Sequence, residues 1–228
     1  MAEVVITGAG RGIGLELVRQ HAAAGDRVYA MARDPGAAPA LAEVAAASAG
    51  RVSVHAMDVT DDASVRAAAA ATGSGPIDLV YNVAGVLGTV SPEFGAVDWA
   101  AFDATFDVHV KGPLRVLNAF LPRLGAGAKV LSLSSQVAAS TWPYGGYHAY
   151  AASKAAMGRL MRGIAMDLRD RGIVIGIVHP GYVQTDMGGP GADITPEASA
   201  RGIRALAAGW TLERSGDFYK WNGEPHAW

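Results

Sequence analysis

The sequence predicts an α/β fold: one domain over residues 1–228, built as a doubly wound, mostly parallel seven-stranded sheet with helices on both faces. Two observations carry that prediction. Short β-branched runs alternate with stretches of helical periodicity along the chain, as in a parallel sheet covered on both sides. Glycine- or hydroxyl-bearing segments then follow those runs, where open α/β sheets place ligands, beyond the carboxyl ends of the strands.

Strands are expected at 4–7, 27–31, 52–57, 77–81, 129–134 and 173–179, each short and apolar, with a last one around 217–221. Helices fill the intervals. One starts at Gly12 and ends near Gly25. A second follows Thr60, with Asp61 and Asp62 in its first turn, where carboxylates meet the positive end of the helix dipole. A third begins near Asp98 and carries Trp99, Phe102, Phe106 and Val110 at helical spacing. Pro113 removes a backbone donor within it, so a kink is expected just before that residue. A fourth covers 149–169, and a fifth opens on Thr195-Pro196-Glu197, an N-cap followed by proline at the first helical position. No linker or internal repeat appears, and the low-complexity tracts are two alanine-rich helices.

Half of the residues are hydrophobic and 18% are charged, enough apolar material for a well-filled core. A net charge of -2 gives no electrostatic pull toward nucleic acid or an anionic membrane. No run approaches the roughly 20 uncharged apolar residues of a membrane-spanning helix. The absence of cysteine excludes disulfides and thiolate metal sites, and the six histidines lack ligand spacing, so no metal is expected. Met1 runs straight into the first strand with no basic leader, so the expectation is no signal peptide and a cytoplasmic setting.

Between the first strand and helix stands Thr7-Gly8-Ala9-Gly10-Arg11-Gly12-Ile13-Gly14. Glycines there let the backbone turn sharply and approach a pyrophosphate, and the helix adds unpaired N–H groups and its positive dipole end. Which dinucleotide binds depends on the end of the second strand, Met31-Ala32-Arg33-Asp34. Ala32 occupies the position of a ribose-binding acid, with Arg33 beside it and Arg11 in the glycine turn, which suits a 2′-phosphate. NADP(H) is therefore expected over NAD(H). Asp34, two residues after Ala32, is the alternative ribose acid.

Tyr150-Ala151-Ala152-Ser153-Lys154 puts a phenol and an ammonium on one helix face. Seven tyrosines and four lysines produce such a pair by chance about once in eight sequences of this size, so the spacing alone is weak. A nearby ammonium stabilises phenolate and is expected to lower the phenol's pKa, fitting Tyr150 to pass a proton to or from a carbonyl oxygen. Either Ser134 or Ser135, at the end of the fifth strand, is placed to donate to the same oxygen. The weight lies in coincidence. The glycine turn, Asn82-Val83-Ala84-Gly85, the serine pair and the Tyr/Lys pair all fall at one edge of one sheet.

Taken with Asp58-Val59 and Pro180-Gly181-Tyr182-Val183-Gln184-Thr185, these segments make the chain resemble the short-chain dehydrogenase/reductase family, of Rossmann type, over essentially its whole length. The resemblance implies that Asp58 and Val59 flank the adenine, and that Asn82, Ala84 and Gly85 support the cofactor and central sheet. It implies that Ser135 positions the substrate carbonyl, Tyr150 is the acid/base, and Lys154 binds the nicotinamide ribose. Pro180, Gly181, Val183 and Thr185 would hold the nicotinamide amide. The Ser-Ser-Gln segment, Gly145-Gly146-Tyr147 and the ending from Phe218 to Trp228 resemble the branch of C-factor-like proteins and Sniffer-type carbonyl reductases.

One departure stands out. Where the family pattern reads Asn-Val-x-Gly-Pro, this chain reads His109-Val110-Lys111-Gly112-Pro113. In the family that Asn distorts the helix so that a backbone carbonyl holds a water of the proton relay. By its spacing His109 shares the inward face of Phe102 and Phe106, and it is either a hydrogen-bonded core residue or a relay member titrating near pH 6.5. Segments 86–97, 137–148 and 182–193 are expected to wall the substrate. They bring Phe94, Trp142, Tyr144, Tyr147, Tyr182 and Met187, which suits a small, mainly apolar carbonyl or alcohol. The resemblance further implies a homo-oligomer, dimer or tetramer, paired through the helices around Phe102 and Tyr150. The alternative function is a dinucleotide-binding sensor or signalling protein of C-factor type with little turnover.

Overall fold

The protein is described by a computed structural model covering residues 1–89, 95 and 97–228. Among the described residues seven strands form: β1 (Glu3–Thr7), β2 (Arg27–Ala32), β3 (Val52–Ala56), β4 (Ile77–Asn82), β5 (Leu124–Leu133), β6 (Val174–His179) and β7 (Phe218–Lys220). They make one sheet in the order β3-β2-β1-β4-β5-β6-β7, with every pair parallel. The winding reverses between β1 and β4, the point at which such sheets open a crevice for ligand. The helices are α1 (Gly12–Ala23), α2 (Pro39–Ala47), α3 (Asp62–Ala71), α4 (Trp99–Phe106), α5 (Gly112–Phe120), α6 (His148–Asp167) and α7 (Pro196–Gly209).

Because both faces are covered, successive residues of one strand serve different cores. Val4 and Ile6 of β1 pack with Leu17, Val18 and Ile203 from α1 and α7. Val5 between them packs with Val116, Phe120, Met157 and Met161 from α5 and α6. Each fully buried side chain of this kind contributes about 1.5–3 kcal/mol relative to exposure. The strand runs therefore read as apolar throughout. Among the described residues no helix is long and apolar enough to cross a membrane.

The strand and helix positions follow the sequence expectations closely, with three differences. β5 begins at Leu124 instead of residue 129, because Gly125 and Gly127 lack the β-branched signal yet continue the pairing across a register shift between Ile77 and Leu79. α2 has no bounds in the sequence reading, although Pro39 stands in its first turn. The third difference matters for the site. The expected kink before Pro113 is a π-helical turn over Asp107–Lys111. Pro113 has no N–H to offer the carbonyl of His109 four residues earlier, and the N–H of Gly112 reaches back to the carbonyl of Asp107. This widened turn joins α4 to α5. The inward face expected for Phe102, Phe106 and His109 is also corrected: Thr105 and His109 are buried, while Phe102 and Phe106 stack on each other at 5.1 Å and stay partly exposed.

Candidate active site

The glycine turn leaves β1 through Thr7, whose Oγ1 accepts the N–H groups of Val83 and Ala84 at 3.0 and 3.2 Å. Those bonds clamp the Asn82–Gly85 segment against the turn. Gly8 has φ +66, and a Cβ there would stand 2.8 Å from the nitrogen of Ala84, so only glycine fits. α1 then starts from Arg11, an extended N-cap whose side chain makes no capping bond, with no acid in the first turn. Its first N–H groups remain available to an anion, and this is the donor set a pyrophosphate requires. Gly10, Gly12, Ile13 and Gly14 complete the segment, and Gly12 lies beside the Thr185 methyl, 3.1 Å from where its Cβ would be.

At the end of β2, Ala32 is buried and offers no carboxylate. Asp34 turns Oδ1 onto the N–H groups of Gly36 and Ala37, at 3.0 and 3.3 Å, capping a short 3₁₀ turn. Arg33 is exposed, and its charge helps hold the Asp58 carboxyl low, after the larger effect of two hydrogen bonds from Thr60. Val59 is buried, and its carbonyl accepts from Arg115 at 3.1 Å. Arg11 pairs with Asp186 in the loop after β6, at 2.8 Å, with both side chains largely exposed.

The two serines after β5 part company. Ser134 is buried and donates to the backbone carbonyl of Lys154 at 3.3 Å. Ser135 lies near enough to the Tyr150 phenol to lower its pKa, and its Oγ accepts from the Val137 N–H. Lys154 is buried and donates to the Leu133 carbonyl at 2.7 Å, with its Nζ 5.8 Å from the centre of the Tyr150 ring. Burial lowers its pKa to about 8. The expected lowering of the phenol by this ammonium is not what stands here. Burial raises the Tyr150 pKa and the nearby Ser135 hydroxyl pulls it part of the way back.

His109 sits on the π turn with both ring nitrogens engaged. Nε2 lies 3.0 Å from the Val86 N–H, which can only donate, so Nδ1 carries the proton and donates to Ser153 Oγ at 2.8 Å. Ser153 in turn donates a hydrogen bond to the Tyr150 carbonyl at 2.9 Å. The ring meets Tyr150 edge-on at 5.4 Å. Gly85 makes room for this approach, since a Cβ there would fall 3.2 Å from His109 Nε2 and 3.7 Å from Lys154 Nζ. Burial first, then the Lys154 ammonium, push the imidazole down to about 2. Of the two readings open for His109, a hydrogen-bonded core residue or a relay member, the burial and the two bonds favour a neutral, hydrogen-bonded ring.

The segment after β6 folds on itself. Pro180 accepts from Ser199 at 2.6 Å, Val183 bridges to Ile194, and Thr185 Oγ1 accepts the Gly188 N–H at 3.2 Å. Gly181 leaves no room for a side chain beside Ile194. Asn82 is buried and donates to Ser132 at 3.1 Å, while its Oδ1 lacks a partner. Among the wall residues, Trp142 and Tyr144 meet edge-on at 5.3 Å, and Tyr147, Tyr182 and Met187 are exposed. Phe94 lies outside the described residues. Sequence reasoning assigned no part to Ser153, Thr7 or Asp186. Ser153 was legible as the hydroxyl one turn from Tyr150, Thr7 as the residue entering the glycine turn, but nothing local marks Asp186 as the partner of Arg11. Among the described residues no His, Cys, Asp and Glu side chains gather as a metal site.

Comparison with known proteins agrees with this arrangement. The short chain dehydrogenase family matches residues 2–193. C-signal of Myxococcus xanthus is 41% identical over 169 residues, 72% of this chain and 100% of that protein. The 1-hydroxy-2-glutathionyl-2-methyl-3-butene dehydrogenase of Rhodococcus sp. strain AD45 is 32% identical over 235 residues, 100% of each chain. Among solved structures, an NADPH-bound carbonyl reductase from chicken fatty liver has a TM-score of 0.92 and 30% identity, covering 100% of this chain and 99% of that one. By its fold, by the groups gathered at the carboxyl edge of its sheet and by these matches, the chain belongs to the short chain dehydrogenase family.

Proposed function

We propose that this protein is an NADP(H)-dependent carbonyl reductase or alcohol dehydrogenase acting on small, mainly apolar substrates. The observation that carries the reading is the meeting of Ser135, Tyr150, Lys154 and His109 beside the glycine turn. A nicotinamide held there would provide hydride chemistry at the carbonyl carbon, in either direction. Tyr150 then gives its phenolic proton to the carbonyl oxygen, and Ser135 donates a hydrogen bond to the same atom. Lys154 keeps positive charge near the phenolate that forms, and with Tyr150 holds the nicotinamide ribose. His109 serves as a neutral positioning residue, fixing the first turn of α6 through Ser153.

Gly8, Gly10, Gly12, Ile13 and Gly14 present the pyrophosphate site, and Arg11 and Arg33 take the 2′-phosphate. Asp58, Val59, Asn82, Ala84 and Gly85 line the adenine and central part, and Pro180, Gly181, Val183 and Thr185 the nicotinamide. What favours NADP(H) is that Ala32 has no carboxylate and Asp34 is engaged in its own turn. The similarity to an NADPH-bound carbonyl reductase supports the same choice. The half-exposed aromatic face of α4, with Trp99 among its residues, supports a homo-oligomer, and a cytoplasmic setting is proposed with it. A binding-only role, the alternative reading, gains nothing from a serine and a tyrosine gathered near a buried ammonium.

The test follows NADPH absorbance against a panel of ketones and aldehydes, with both cofactors titrated by fluorescence. NADPH should bind about ten- to a hundredfold more tightly than NADH, the worth of a charge-assisted contact of about 1.5–3 kcal/mol. Equal affinity, or an NADH preference, would move the ribose contact to Asp34.

A further inference from the structure

β5 and β6 pair as far as the Ser134 N–H, which donates to the Val178 carbonyl at 2.7 Å. One rung further, the same ladder would join the Gln136 N–H to the Pro180 carbonyl. That carbonyl accepts from Ser199 Oγ instead, at 2.6 Å. A side chain takes the place of the missing rung: Nδ1 of His179 accepts the Gln136 N–H at 3.2 Å. Gln136 directly follows Ser135, so this bond holds the backbone that carries the serine.

Ser135 opens a short 3₁₀ turn over Gln136–Ala138. The N–H groups of Val137, Ala138 and Ala139 bond within it, to Ser135 or Gln136. Those of Gln136 and Ser140 reach outside, and they moor the turn at its two ends. Ser140 is held by the segment after β7: the backbone oxygen of Trp228 accepts both its N–H and its hydroxyl, each at 2.9 Å.

Both moorings lead into that segment. The His226 ring stacks on Phe218 at 4.5 Å and meets the His179 ring edge-on at 5.3 Å. The Trp228 ring lies 5.2 Å from the Arg162 guanidinium and against Gly158 of α6, where a Cβ would stand 3.5 Å away. His179 is buried, and burial first, then His226 and Lys220, push its imidazole down to about 4. Nδ1 therefore stays free to accept near neutrality.

We propose that His179 and Trp228 are positioning residues for Ser135, mooring the two ends of its turn so that the hydroxyl stays beside Tyr150. This rests on the carbonyl-reductase reading, in which Ser135 donates to the carbonyl oxygen. Both residues act through the backbone of the turn. A displaced hydroxyl matters most as charge develops on that oxygen, so the effect falls on kcat and not on cofactor binding.

The experiment measures kcat, KM for a reactive ketone and NADPH affinity in His179→Leu, His179→Asn and Trp228→Ala, each with Ser135 and with Ser135→Ala. With Ser135 in place, His179→Leu should lower kcat by about three- to tenfold, the effect of one lost hydrogen bond, at unchanged NADPH affinity. His179→Asn should recover most of that loss, because its Oδ1 offers the same acceptor. Trp228→Ala should lower kcat by about two- to threefold. In the Ser135→Ala background the same changes should have little further effect. Equal falls in both backgrounds would mark these residues as structural and overturn the inference. An unchanged kcat in a folded His179→Leu protein would overturn it too, leaving the carbonyl-reductase reading intact. If His179→Leu does not fold, Trp228→Ala decides, since its loss must vanish without the Ser135 hydroxyl. No NADPH oxidation by wild type with any carbonyl would overturn both the inference and the reading beneath it.

Discussion

Two buried polar clusters lie at opposite edges of the sheet, and they settle their charges in different ways. At the amino edge, His21 Nδ1 bonds Asp26 at 2.8 Å and its Nε2 meets the Tyr81 hydroxyl at 3.2 Å. Asp26 also accepts the Ala2 N–H at 2.8 Å, and Arg204 adds positive charge nearby, although its own Nε lacks a hydrogen bond. At the carboxyl edge, Lys154 is buried on one carbonyl, and among the described residues no carboxylate pairs with it. The first cluster carries its own counter-charge. The second holds a cation that waits for a phenolate or a ligand. A balanced cluster holds the fold together, whereas an unbalanced one costs stability and is kept for chemistry.

The largest expected break in this comparison comes from Lys154→Met. Turnover should fall by about a hundredfold or more, as the charge beside the forming phenolate is lost. Stability should rise. A lysine whose folded pKa is depressed from 10.5 to about 8 penalises the folded state below pH 8, and the penalty fades as pH climbs toward 10.5. Thermal unfolding of the variant should therefore show a higher melting temperature at pH 7, with the gain shrinking between pH 8 and 10.5. A melting temperature that falls would mean Lys154 is a net stabiliser.

Asp26→Asn should do the reverse. It removes a charge-assisted bond to His21 and should cost about 1.5–3 kcal/mol, read by denaturant unfolding, with turnover unchanged below the transition. Because Asp26 has a lowered pKa, its stabilisation is present above the ordinary carboxylate range and is lost as pH falls through the folded value. Lost turnover in a folded variant would show that the two clusters are coupled.

How much of this was legible in the chain depends on distance along it. The glycine turn and the Tyr150/Lys154 pair are local patterns, readable because a strand, a turn and a helix each have a fixed period. Ser135 separates from Ser134 only in three dimensions, where one hydroxyl faces Tyr150 and the other the backbone of α6. The state of His109 was not legible at all. It depends on a donor 23 residues earlier and a hydroxyl 44 residues later, and on an ammonium that appears beside it only on folding. The same applies to His21, whose Tyr81 partner is 60 residues away.

A smaller effect sharpens the comparison through pH. For carbonyl reduction, kcat/KM should fall as pH rises through about 8, where free enzyme loses the Lys154 charge. Burial keeps the Tyr150 phenol protonated there. His109→Asn should leave that limb in place and lower stability by about 1 kcal/mol, the worth of one hydrogen bond. If an ionisation near neutrality disappeared instead, the imidazole would belong to the proton relay.

The central claim, that the unbalanced cluster is a site of proton transfer, is tested most directly by single-turnover NADPH oxidation in Tyr150→Phe. The variant keeps ring volume and removes only the proton donor. NADPH should still bind and the melting temperature should stay near wild type, while the rate with a reactive ketone falls by about 10²–10⁴. A Tyr150→Phe protein that binds NADPH and turns over at the wild-type rate would contradict the account.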